Sequence, residues 1–593
     1  MKQSAHCPTG GHLSYESTAD GVVFWKSTKE GPVAVPLSNF SARIVYEIIR
    51  DDGVETTHSY VIEAEQRGLP NRTVEVAASE YAGMTWVARE LGASSIIVAG
   101  FSQKDHLRVA IQVLSGDIET RTIYAHTGWR QVGDRYVYLH GAGAIGKDGP
   151  VADIQTDLSS QGLGGFELPA PSPPEEAREN VIKSLDFLSL APDLVAVPLL
   201  CAVWRSVLGP APFSIHMVGR TGAGKTELAV LIQQHFGPGM DSKHLPASWM
   251  STANALEAQA FAAKDAVFLI DDFSPSGSQQ EINRQHREAA RLLRAQGNLV
   301  GRTRMKADTS LRPARVPRGL ILSTGEEIPT QHSIRARILT IEVGPEDVDF
   351  GRLSQAQADA ANGIYASVVA TFLQWLAPRI ESVRRDLPDM TSRYRDELTM
   401  AGHHRRTPDA IGDLAAGATI FMRFALDVGA LSQDQEEEFW GRIWENLRRL
   451  GDRQQVQHEA SNPALRILRL IASALASGEA HFASKDGKAP EQPQKWGWRQ
   501  ATTSLQHEPQ GTRIGWVDGD EFFLDLNSAL KVGNRMAGDE PLSLSAQTLG
   551  KRFKDQGLLL STDTKRSKLQ VRRMLEGTRR RVLHMSSATI FPD

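Results

Sequence analysis

Cysteine and long hydrophobic runs are scarce in this sequence. Cysteine occurs only as Cys7 and Cys201 among 593 residues, which excludes a disulfide framework and a cysteine-based zinc site and favours a reducing compartment. The apolar run Leu194–Trp204 is too short to span a bilayer. The first residues lack the apolar segment of a signal peptide. We therefore expect a soluble, cytoplasmic protein with no membrane partner.

An excess of positive charge is also lacking. The formal net charge is −4, which excludes a uniformly basic nucleic-acid binder but permits local basic surfaces. Hydrophobic residues make up 41% of the chain and charged residues 23%, so the composition is that of a globular protein with substantial cores. Because the chain is several times longer than a usual domain, we expect several folded units.

The pattern along the chain predicts an α/β multidomain protein. Ala42–Ile49 and His58–Glu65 alternate apolar and polar residues on either side of a turn, which is typical of a hairpin with one buried face. Clustered prolines in Leu168–Ala177 and the polar stretch Lys485–Lys495 are typical of linkers. The predicted segments are an N-terminal mixed α/β domain (1–165), a proline-rich linker (166–178), a central domain (179–345), a helical domain (346–480), a linker (481–496) and a small terminal domain (497–593).

The central domain contains a complete phosphate-binding motif. The pattern GxxxxGK[ST] is formed by Gly219, Arg220, Thr221, Gly222, Ala223, Gly224, Lys225 and Thr226. An apolar strand precedes the motif and an amphipathic segment, Glu227–Phe236, follows it, which is the strand, loop and helix order that the chemistry requires. Glycines let backbone amides wrap phosphates, Lys225 reaches the β- and γ-phosphate oxygens, and Thr226 can ligate Mg²⁺. The motif predicts binding of ATP and Mg²⁺.

A second motif, DAVFLIDDF, places paired carboxylates after four apolar residues, Val267–Ile270. A buried parallel strand that ends in acids is what a P-loop sheet uses to hold magnesium and orient water. We assign Asp271 to the magnesium ion, directly or through a water molecule. Asp272 is our choice for polarising the attacking water.

A basic segment and two further strands follow. Between Arg294 and Arg318 there are seven Lys or Arg residues and one acid, a composition that suits either a nucleic-acid contact or a solvated loop. The strand GLILSTGEE ends in Ser323 and Thr324, and either hydroxyl could sense the γ-phosphate. The segment SIRARILTIEV offers Arg335 and Arg337, either of which could reach ATP on a neighbouring subunit as an arginine finger.

The order of these motifs resembles a known family. GRTGAGKT, VFLIDD, the basic segment, LILSTGEEIP and the later RAR, within residues 212–343, are similar to the AAA+ group represented by superfamily 3 helicases. The resemblance is closer to the bacterial mobile-element ATPases grouped as domain of unknown function 927, whose upstream part is similar to HTGWR and YVYLHGAGAIG in residues 126–146. One departure concerns the sensor, because many superfamily 3 members carry Asn where this strand ends in Ser323-Thr324.

The resemblance implies a P-loop AAA+ (ASCE) parallel-sheet core and a ring of subunits, a homo-oligomer expected to be a hexamer with ATP at the interfaces. It also implies a basic hairpin that lines a central channel and grips the phosphates of single-stranded DNA. In this sequence the hairpin contacts would be Arg302, Arg304 and Lys306.

The terminal domain adds a second candidate contact with nucleic acid. Its sequence from Ser545 onward predicts a short helix, a turn at Gly557 and a strand pair, which resembles a winged helix. Eleven Lys or Arg and three acids lie between Ser545 and Met585, and such a local excess can neutralise phosphates and release counterions. With Ser545 as the helix N-cap, the candidate DNA contacts on the helix are Lys551, Arg552 and Lys554. A wing that docks another protein is the alternative.

Together the motifs predict an ATP-hydrolysing enzyme, a DNA helicase or translocase that acts in the replication of a mobile element or phage-like replicon. Its carboxy-terminal wing is expected to anchor the ring to duplex or origin DNA. A regulatory ATPase on DNA that does not unwind it would use the same phosphate chemistry. A small-molecule P-loop kinase would explain the nucleotide motif but would leave the basic segment and terminal domain without a role.

Overall fold

The structure is a computed structural model. The residues that it describes are 3–6, 14–301, 303–305, 309, 311–329, 332–399, 406–460, 462–501, 506–538, 542, 544–566 and 568–591. The chain divides into two compact units, Met1–Asp452 and Arg453–Asp593, and each is described by itself. Among the described residues, no helix combines the length and the apolar composition that crossing a membrane requires.

The strands of the first unit are β1 (Gln3–His6), β2 (Ser14–Thr18), β3 (Gly21–Thr28), β4 (Gly31–Pro36), β5 (Ser41–Asp51), β6 (Thr56–Glu65), β7 (Arg72–Ala77), β8 (Glu119–Tyr124), β9 (Gly128–Val132), β10 (Arg135–His140), β11 (Gly143–Gly146), β12 (Gly149–Pro150), β13 (Gln155–Thr156), β14 (Ser214–Val218), β15 (Ala247–Ser248), β16 (Val267–Phe273), β17 (Arg304–Met305), β18 (Leu311–Arg312), β19 (Leu320–Gly325) and β20 (Ile338–Glu342). Those of the second unit are β21 (Ala480–Ser484), β22 (Trp498–Gln500), β23 (His507–Pro509), β24 (Thr512–Asp518), β25 (Glu521–Leu524), β26 (Val571–Leu575) and β27 (Thr578–Ser586).

The α-helices are α1 (Ala78–Gly83), α2 (Gln103–Leu114), α3 (Pro174–Leu185), α4 (Asp193–Ser206), α5 (Lys225–Gln234), α6 (Ala253–Ala262), α7 (Gln279–Asn298), α8 (His332–Arg335), α9 (Phe350–Ala361), α10 (Ile364–Leu376), α11 (Ile380–Thr399), α12 (Arg406–Asp427), α13 (Gln433–Ala460), α14 (Pro463–Ser477), α15 (Leu526–Met536) and α16 (Ala546–Asp555). Short 3₁₀ or π segments lie at Val87–Leu91, Ser159–Gln161, Asp186–Ser189, Pro493–Trp496, Thr564–Arg566 and Ser587–Thr589.

The first unit begins with three sheets. The four-stranded sheet β1-β2-β3-β4 is antiparallel, and a five-stranded sheet has the order β13-β8-β5-β6-β7. In that second sheet β5 and β6 form the antiparallel hairpin that the alternating sequence predicts. The third sheet, β12-β11-β10-β9, is an antiparallel meander. Helices α1 and α2 lie between β7 and β8, so this region contains both helices and strands.

A five-stranded parallel sheet of order β15-β16-β19-β14-β20 forms the centre of the first unit. Val267–Ile270 of β16 and Leu320–Gly325 of β19 are buried along their whole length, as expected for strands covered on both faces. Because all five strands run the same way, their carboxyl ends meet at one edge. The predicted phosphate-binding loop follows β14, and the paired aspartates lie near the end of β16 at that edge.

The apolar clusters divide the chain differently from the predicted segments. Residues 15–114 have a core of their own, whereas Trp129, Tyr138 and Ile145 of the third sheet pack into the large core around the parallel sheet. Val137, Leu139, Ala144 and Ile154 form a further small cluster, so the predicted N-terminal domain of residues 1–165 contributes to three apolar clusters. Leu168, in the predicted linker 166–178, is buried in the large core as well.

A buried aspartate attaches the third sheet to the central one. Asp265 lies just before β16 and is fully buried. Its carboxylate accepts hydrogen bonds from the Trp129 amide at 3.0 Å and from the Lys264 ammonium and Arg384 guanidinium, both at 2.9 Å. Its backbone carbonyl accepts from the Tyr138 hydroxyl at 2.7 Å. Two cations and an amide offset the desolvation of this carboxylate, and the pKa of Asp265 is lowered although burial opposes that shift.

The second unit is built on a five-stranded sheet of order β21-β24-β25-β27-β26, and β22 pairs with β23. Helices α14, α15 and α16 contribute buried apolar residues to its core. Helix α14 lies in the segment predicted as the helical domain 346–480, yet Ile467 and Ile471 pack in this second core. Trp496, in the predicted linker 481–496, is buried there too. Apolar side chains therefore make helix α14 and Trp496 integral to the second unit.

Candidate nucleotide site

The loop between β14 and α5 has the backbone that its glycines allow. Gly222 and Gly224 both have a φ of +82°, in the left-handed region where a side chain is strained. Gly224 is the N-cap of α5, so the loop leads directly into the amino terminus of a helix. A Cβ at Gly219 would lie 2.2 Å from the Val343 carbonyl oxygen. This geometry leaves backbone amides and the positive end of a helix dipole around the loop, which suits an anion.

Lys225 lies over the same loop. Its ammonium group donates hydrogen bonds to the carbonyl oxygens of Gly219 and Arg220, both at 2.8 Å. Burial lowers the pKa of Lys225, and the carboxylates of Glu326, Asp271 and Asp272 act in the opposite direction. A cation is thus held beside the loop, within the field of three acids.

Asp271 accepts hydrogen bonds from two threonines of different elements. The Thr226 hydroxyl, on the first turn of α5, donates to Asp271 Oδ1 at 3.0 Å. The Thr324 hydroxyl, near the end of β19, donates to the same oxygen. A hydroxyl and a carboxylate next to a phosphate loop are the oxygen ligands that Mg²⁺ takes at such sites. The residues predicted to hold the metal, Thr226 and Asp271, therefore fit that ion.

A β-bulge separates the roles of the two adjacent aspartates. The register between β16 and β19 shifts between Ile270 and Phe273, and Asp272 has a φ of +61°. The backbone amide of Asp272 donates to the Thr324 hydroxyl at 3.1 Å, while the Asp272 side chain is exposed. A bulge redirects side chains, and here one carboxylate is tied to two hydroxyls while the next is accessible to solvent.

Ser323 and Thr324 occupy different surroundings. Successive side chains of a strand point to opposite faces, and Thr324 contacts Asp271 whereas Ser323 does not. The Ser323 hydroxyl accepts a hydrogen bond from Trp249 Nε1 at 2.8 Å and lies 3.0 Å from His216 Nδ1. Of the two hydroxyls left open by the sequence, only that of Thr324 bonds to the acids.

His216 is the part of this region that sequence reasoning missed. It lies on β14, where its Nε2 donates to the Glu327 carbonyl oxygen at 2.8 Å, so that Nδ1 accepts from Ser323. Burial lowers the pKa of His216 to about 4, and the ring is therefore neutral near pH 7. A lone histidine inside the apolar strand FSIHMVG was the available signal. Glu326 was also missed, although it accepts a hydrogen bond from Thr221 of the phosphate loop.

The two candidate arginine fingers are not brought to this site. Arg335 ends α8, and Arg337 lies immediately before β20. The carbonyl of Arg337 accepts from the Ser214 amide at 3.0 Å, which places it at the amino ends of the parallel strands. Strand β20 has five residues, so about 16 Å of strand separates Arg337 from the edge that carries Lys225.

Arg337 lines a cavity of about 220 Å³ at that opposite edge, together with Phe213, Arg406 and Asp409 among others. Its Nε donates to Asn298 Oδ1 at 3.0 Å. Burial lowers the pKa of Arg337, and the positive charges of Arg406 and Arg294 lower it further. A concentration of guanidinium groups of this kind is suited to an anion from another molecule.

One predicted DNA contact of the basic segment, Arg304, lies in a short antiparallel strand pair. Strands β17 and β18 pair antiparallel, with Arg304 opposite Arg312. The structure describes the backbone of Arg304 and not its side chain. Arg302 and Lys306 lie outside the described residues, and their assignment remains a prediction.

In the second unit the predicted helix, turn and strand pair are present. The Ser545 hydroxyl caps α16 by accepting from the Thr548 amide at 3.1 Å, and Gly557 has a φ of +69° after the helix. Lys551 and Lys554 are exposed on α16, and Arg552 is half-buried. Strands β26 and β27 form the antiparallel pair.

Comparison with known proteins finds a matching family and solved structures with a similar fold. The family described as Domain of unknown function (DUF927) matches residues 15–315, which is more than half of the chain. Eleven chains of solved structures match. One of them, "SCCmec type IV Cch - active helicase", has a TM-score of 0.56 and 12% sequence identity, over 97% of this chain and 98% of that chain. No curated protein matches.

Proposed function

The chain belongs to the family of domain of unknown function 927, and on that premise we propose that it is an ATP-dependent DNA helicase or translocase, similar to superfamily 3 helicases, that acts in the replication of a mobile element or phage-like replicon. The observation that carries the proposal is the convergence of Thr226 and Thr324 on Asp271 beside the phosphate loop. The proposed ligand of this site is ATP with Mg²⁺.

The order of the parallel sheet supports a P-loop AAA+ (ASCE) assignment. Strand β19 lies between the strand of the phosphate loop, β14, and the strand of the acids, β16. That order brings Thr324, a residue of the intervening strand, to the carboxylate of Asp271. The fold shared with a protein named as an active helicase, over nearly the full length of both chains, is consistent with the same use of the site.

Each residue at the site has a part in hydrolysis. Amides of the loop 219–224 and the start of α5 bind the β-phosphate, and the Lys225 ammonium neutralises charge that develops on the γ-phosphate. Thr226 and Asp271 would hold Mg²⁺, which would supply further positive charge. The exposed Asp272 carboxylate polarises the attacking water, and Thr324 fixes the metal carboxylate and senses the γ-phosphate.

The remaining parts couple hydrolysis to DNA. A hexameric ring would bring Arg337, or Arg335, to the ATP of an adjacent subunit, a role supported by the position of Arg337 at the sheet edge opposite its own phosphate loop. The β17–β18 hairpin, with Arg302, Arg304 and Lys306, would grip single-stranded DNA in the channel. The terminal domain, as a winged helix, would anchor the ring on DNA.

Lys225→Ala tests the proposal. We expect ATP hydrolysis stimulated by single-stranded DNA to fall at least about a hundredfold, because the charge beside the developing phosphate transition state is removed. Displacement of a labelled strand from a forked duplex should be lost with it. The matched control is Lys243→Ala, since Lys243 is exposed and follows the opposite end of α5.

The outcomes separate the proposal from its alternatives. Hydrolysis and strand displacement in the wild type, both lost in Lys225→Ala and kept in Lys243→Ala, support a helicase. DNA binding and hydrolysis without displacement identify a regulatory ATPase. Hydrolysis by Lys225→Ala at the wild-type rate contradicts the site, and the absence of any nucleic-acid binding favours a P-loop kinase.

A further inference from the structure

The hairpin of strands β26 and β27 in the second unit has two chemically different faces. The strands pair antiparallel, with Arg572 opposite Arg581 and Arg573 opposite Arg580. Because side chains alternate along a strand, Arg573 and Arg580 lie on one face, which we call the inner face. Arg572 and Arg581 lie on the other, the outer face.

The inner-face arginines are used by the fold. The Arg573 guanidinium lies 5.5 Å from the centroid of the Phe523 ring, and that of Arg580 lies 4.9 Å from the centroid of the Trp516 ring. Arg580 also pairs with Glu576 at 3.4 Å. Cation–π contacts and an ion pair give both side chains partners inside their own unit.

The outer face collects arginines without such partners. Arg579 shares it, opposite Met574, and Arg566 precedes β26. All four arginines, Arg566, Arg572, Arg579 and Arg581, are exposed, and within the described part of the second unit none has a carboxylate at ion-pair distance. Met574, between them, is 60% exposed.

The arginines of the outer face repel one another when no anion is bound. Like charges directly opposite on paired strands are destabilising, and Arg572 and Arg581 are such a pair. Arg566 is the largest cause of a lowered pKa at Arg572, and Arg581 and Arg579 add to it, whereas Asp563 acts in the opposite direction. A face on which one guanidinium weakens the charged state of another is stabilised by an anion.

We infer that the outer face of the β26–β27 hairpin, with Arg572, Arg579 and Arg581 and with Arg566 beside it, binds the phosphate backbone of duplex DNA. The inference rests on the proposed function for its choice of DNA as the polyanion. Guanidinium groups bind phosphates in a bidentate manner. The individual contacts predicted from the sequence, Lys551, Arg552 and Lys554, lie on helix α16, so the arginines of the hairpin are additional to them.

The composition of the two faces favours a duplex over a single strand. Binding of single strands depends on aromatic side chains on which bases stack. The outer-face positions, Arg572, Met574, Arg579 and Arg581, include no aromatic residue, and Phe523 and Trp516 lie under arginines of the inner face. Contacts to the backbone alone fix a protein on a duplex without reading its bases.

The test compares neighbouring arginines of one strand in the full-length protein. Arg572→Gln removes an outer-face charge and Arg573→Gln removes an inner-face charge, so both change the net charge equally. The affinity for a short labelled duplex is measured by fluorescence anisotropy, without nucleotide, over a series of salt concentrations. We expect Arg572→Gln to reduce the slope of log K against log salt concentration by about 0.9, the value for one phosphate contact on B-DNA. Arg573→Gln should leave the slope unchanged.

A triple variant extends the comparison. Changing Arg572, Arg579 and Arg581 together to Gln should reduce the slope by about 2 to 3. The triple change to Lys keeps the charge and should keep most of the slope. It also shows that loss of binding does not come from unfolding, which circular dichroism of both triple variants checks.

Three results would overturn the inference. The first is a wild-type slope in the triple Gln variant, and the second is an equal change in Arg572→Gln and Arg573→Gln. The third is a triple Gln variant that no longer binds an acidic polypeptide such as polyglutamate but still binds the duplex, which would identify a protein-docking wing. Failure of the proposed function is separate, because a wild-type protein that does not hydrolyse ATP can still show these slopes.

Discussion

Replacing Thr324 by Val removes one hydroxyl from the hydrogen bonds around Asp271, the proposed magnesium ligand, and keeps the shape of the side chain. Thr324 is 1% exposed, donates to Asp271 Oδ1 and accepts from the Asp272 amide at 3.1 Å. A hydrogen bond to a charged group contributes about 1.5–3 kcal/mol, so we expect about 2 kcal/mol of lost stability. Asp271 would keep only its bond from Thr226, and loss of such an orienting partner typically costs about 10–100-fold in metal affinity or activity.

The assay is steady-state ATP hydrolysis, with single-stranded DNA, over a series of Mg²⁺ concentrations. We expect Thr324→Val to lower kcat or to raise the Mg²⁺ concentration for half-maximal rate by about 10–100-fold in total. Thr324→Ser keeps the hydroxyl and should retain most of the activity. Thermal unfolding of each variant, followed by calorimetry, ensures that rates are compared below the transition.

Ser323→Ala is the matched control on the neighbouring residue. It removes a hydroxyl that is just as buried but bonds to Trp249 and His216 rather than to the acids. Leaving those two partners unsatisfied should cost about 1–3 kcal/mol of stability with little change in kcat. Equal kinetic losses in both variants, or a wild-type rate in Thr324→Val, would refute the assignment of Thr324 as the residue that orients Asp271.

Two further predictions concern other parts of the first unit. Subunits carrying Arg337→Ala should regain some ATP hydrolysis when they are mixed with Lys225→Ala subunits, because an intact phosphate loop from one can meet an intact arginine from the other. Activity equal to the sum of the two separate proteins would argue against an arginine supplied in trans. Burial lowers the pKa of His216 and of His235 to about 4 in the folded protein from an ordinary 6.5, so their stabilising effect is complete above pH 6.5 and is lost as the pH falls towards 4. As the pH falls through that window, each histidine should lower the free energy of unfolding, measured by urea unfolding, by about 1.4 kcal/mol per pH unit. If the dependence of this free energy on pH is not weaker in His235→Gln, the account is contradicted.

Local sequence was sufficient wherever the chemistry depends on neighbours in the chain. The glycines and the Lys-Thr pair of residues 219–226 predict a loop between strand and helix, and the structure has β14, the loop and α5 in that order. The apolar run before Asp271 predicts a buried strand, because strands covered on both faces have continuous apolar runs rather than alternating ones. The same holds for Ser545, whose hydroxyl caps α16 as predicted.

Tertiary structure decided the questions that depend on which strands lie side by side. The sequence left Ser323 and Thr324 as equal candidates, and only the position of β19 next to β16 brings Thr324 to Asp271. The bulge that separates Asp271 from Asp272 arises from pairing between those strands, so no local pattern could indicate it. The burial of Leu168 and Trp496, which lie in predicted linkers, depends likewise on contacts with residues far away in the sequence.

By itself the sequence determined the phosphate loop, the acidic strand end and the basic character of two segments, since each is written in residues close together in the chain. The tertiary structure alone decided which hydroxyl meets the acid, which sheet edge carries Arg337, and which face of the β26–β27 hairpin is left with unpaired arginines. Those relations are set by strand order and cross-strand register, which join residues far apart in sequence through hydrogen bonds and burial.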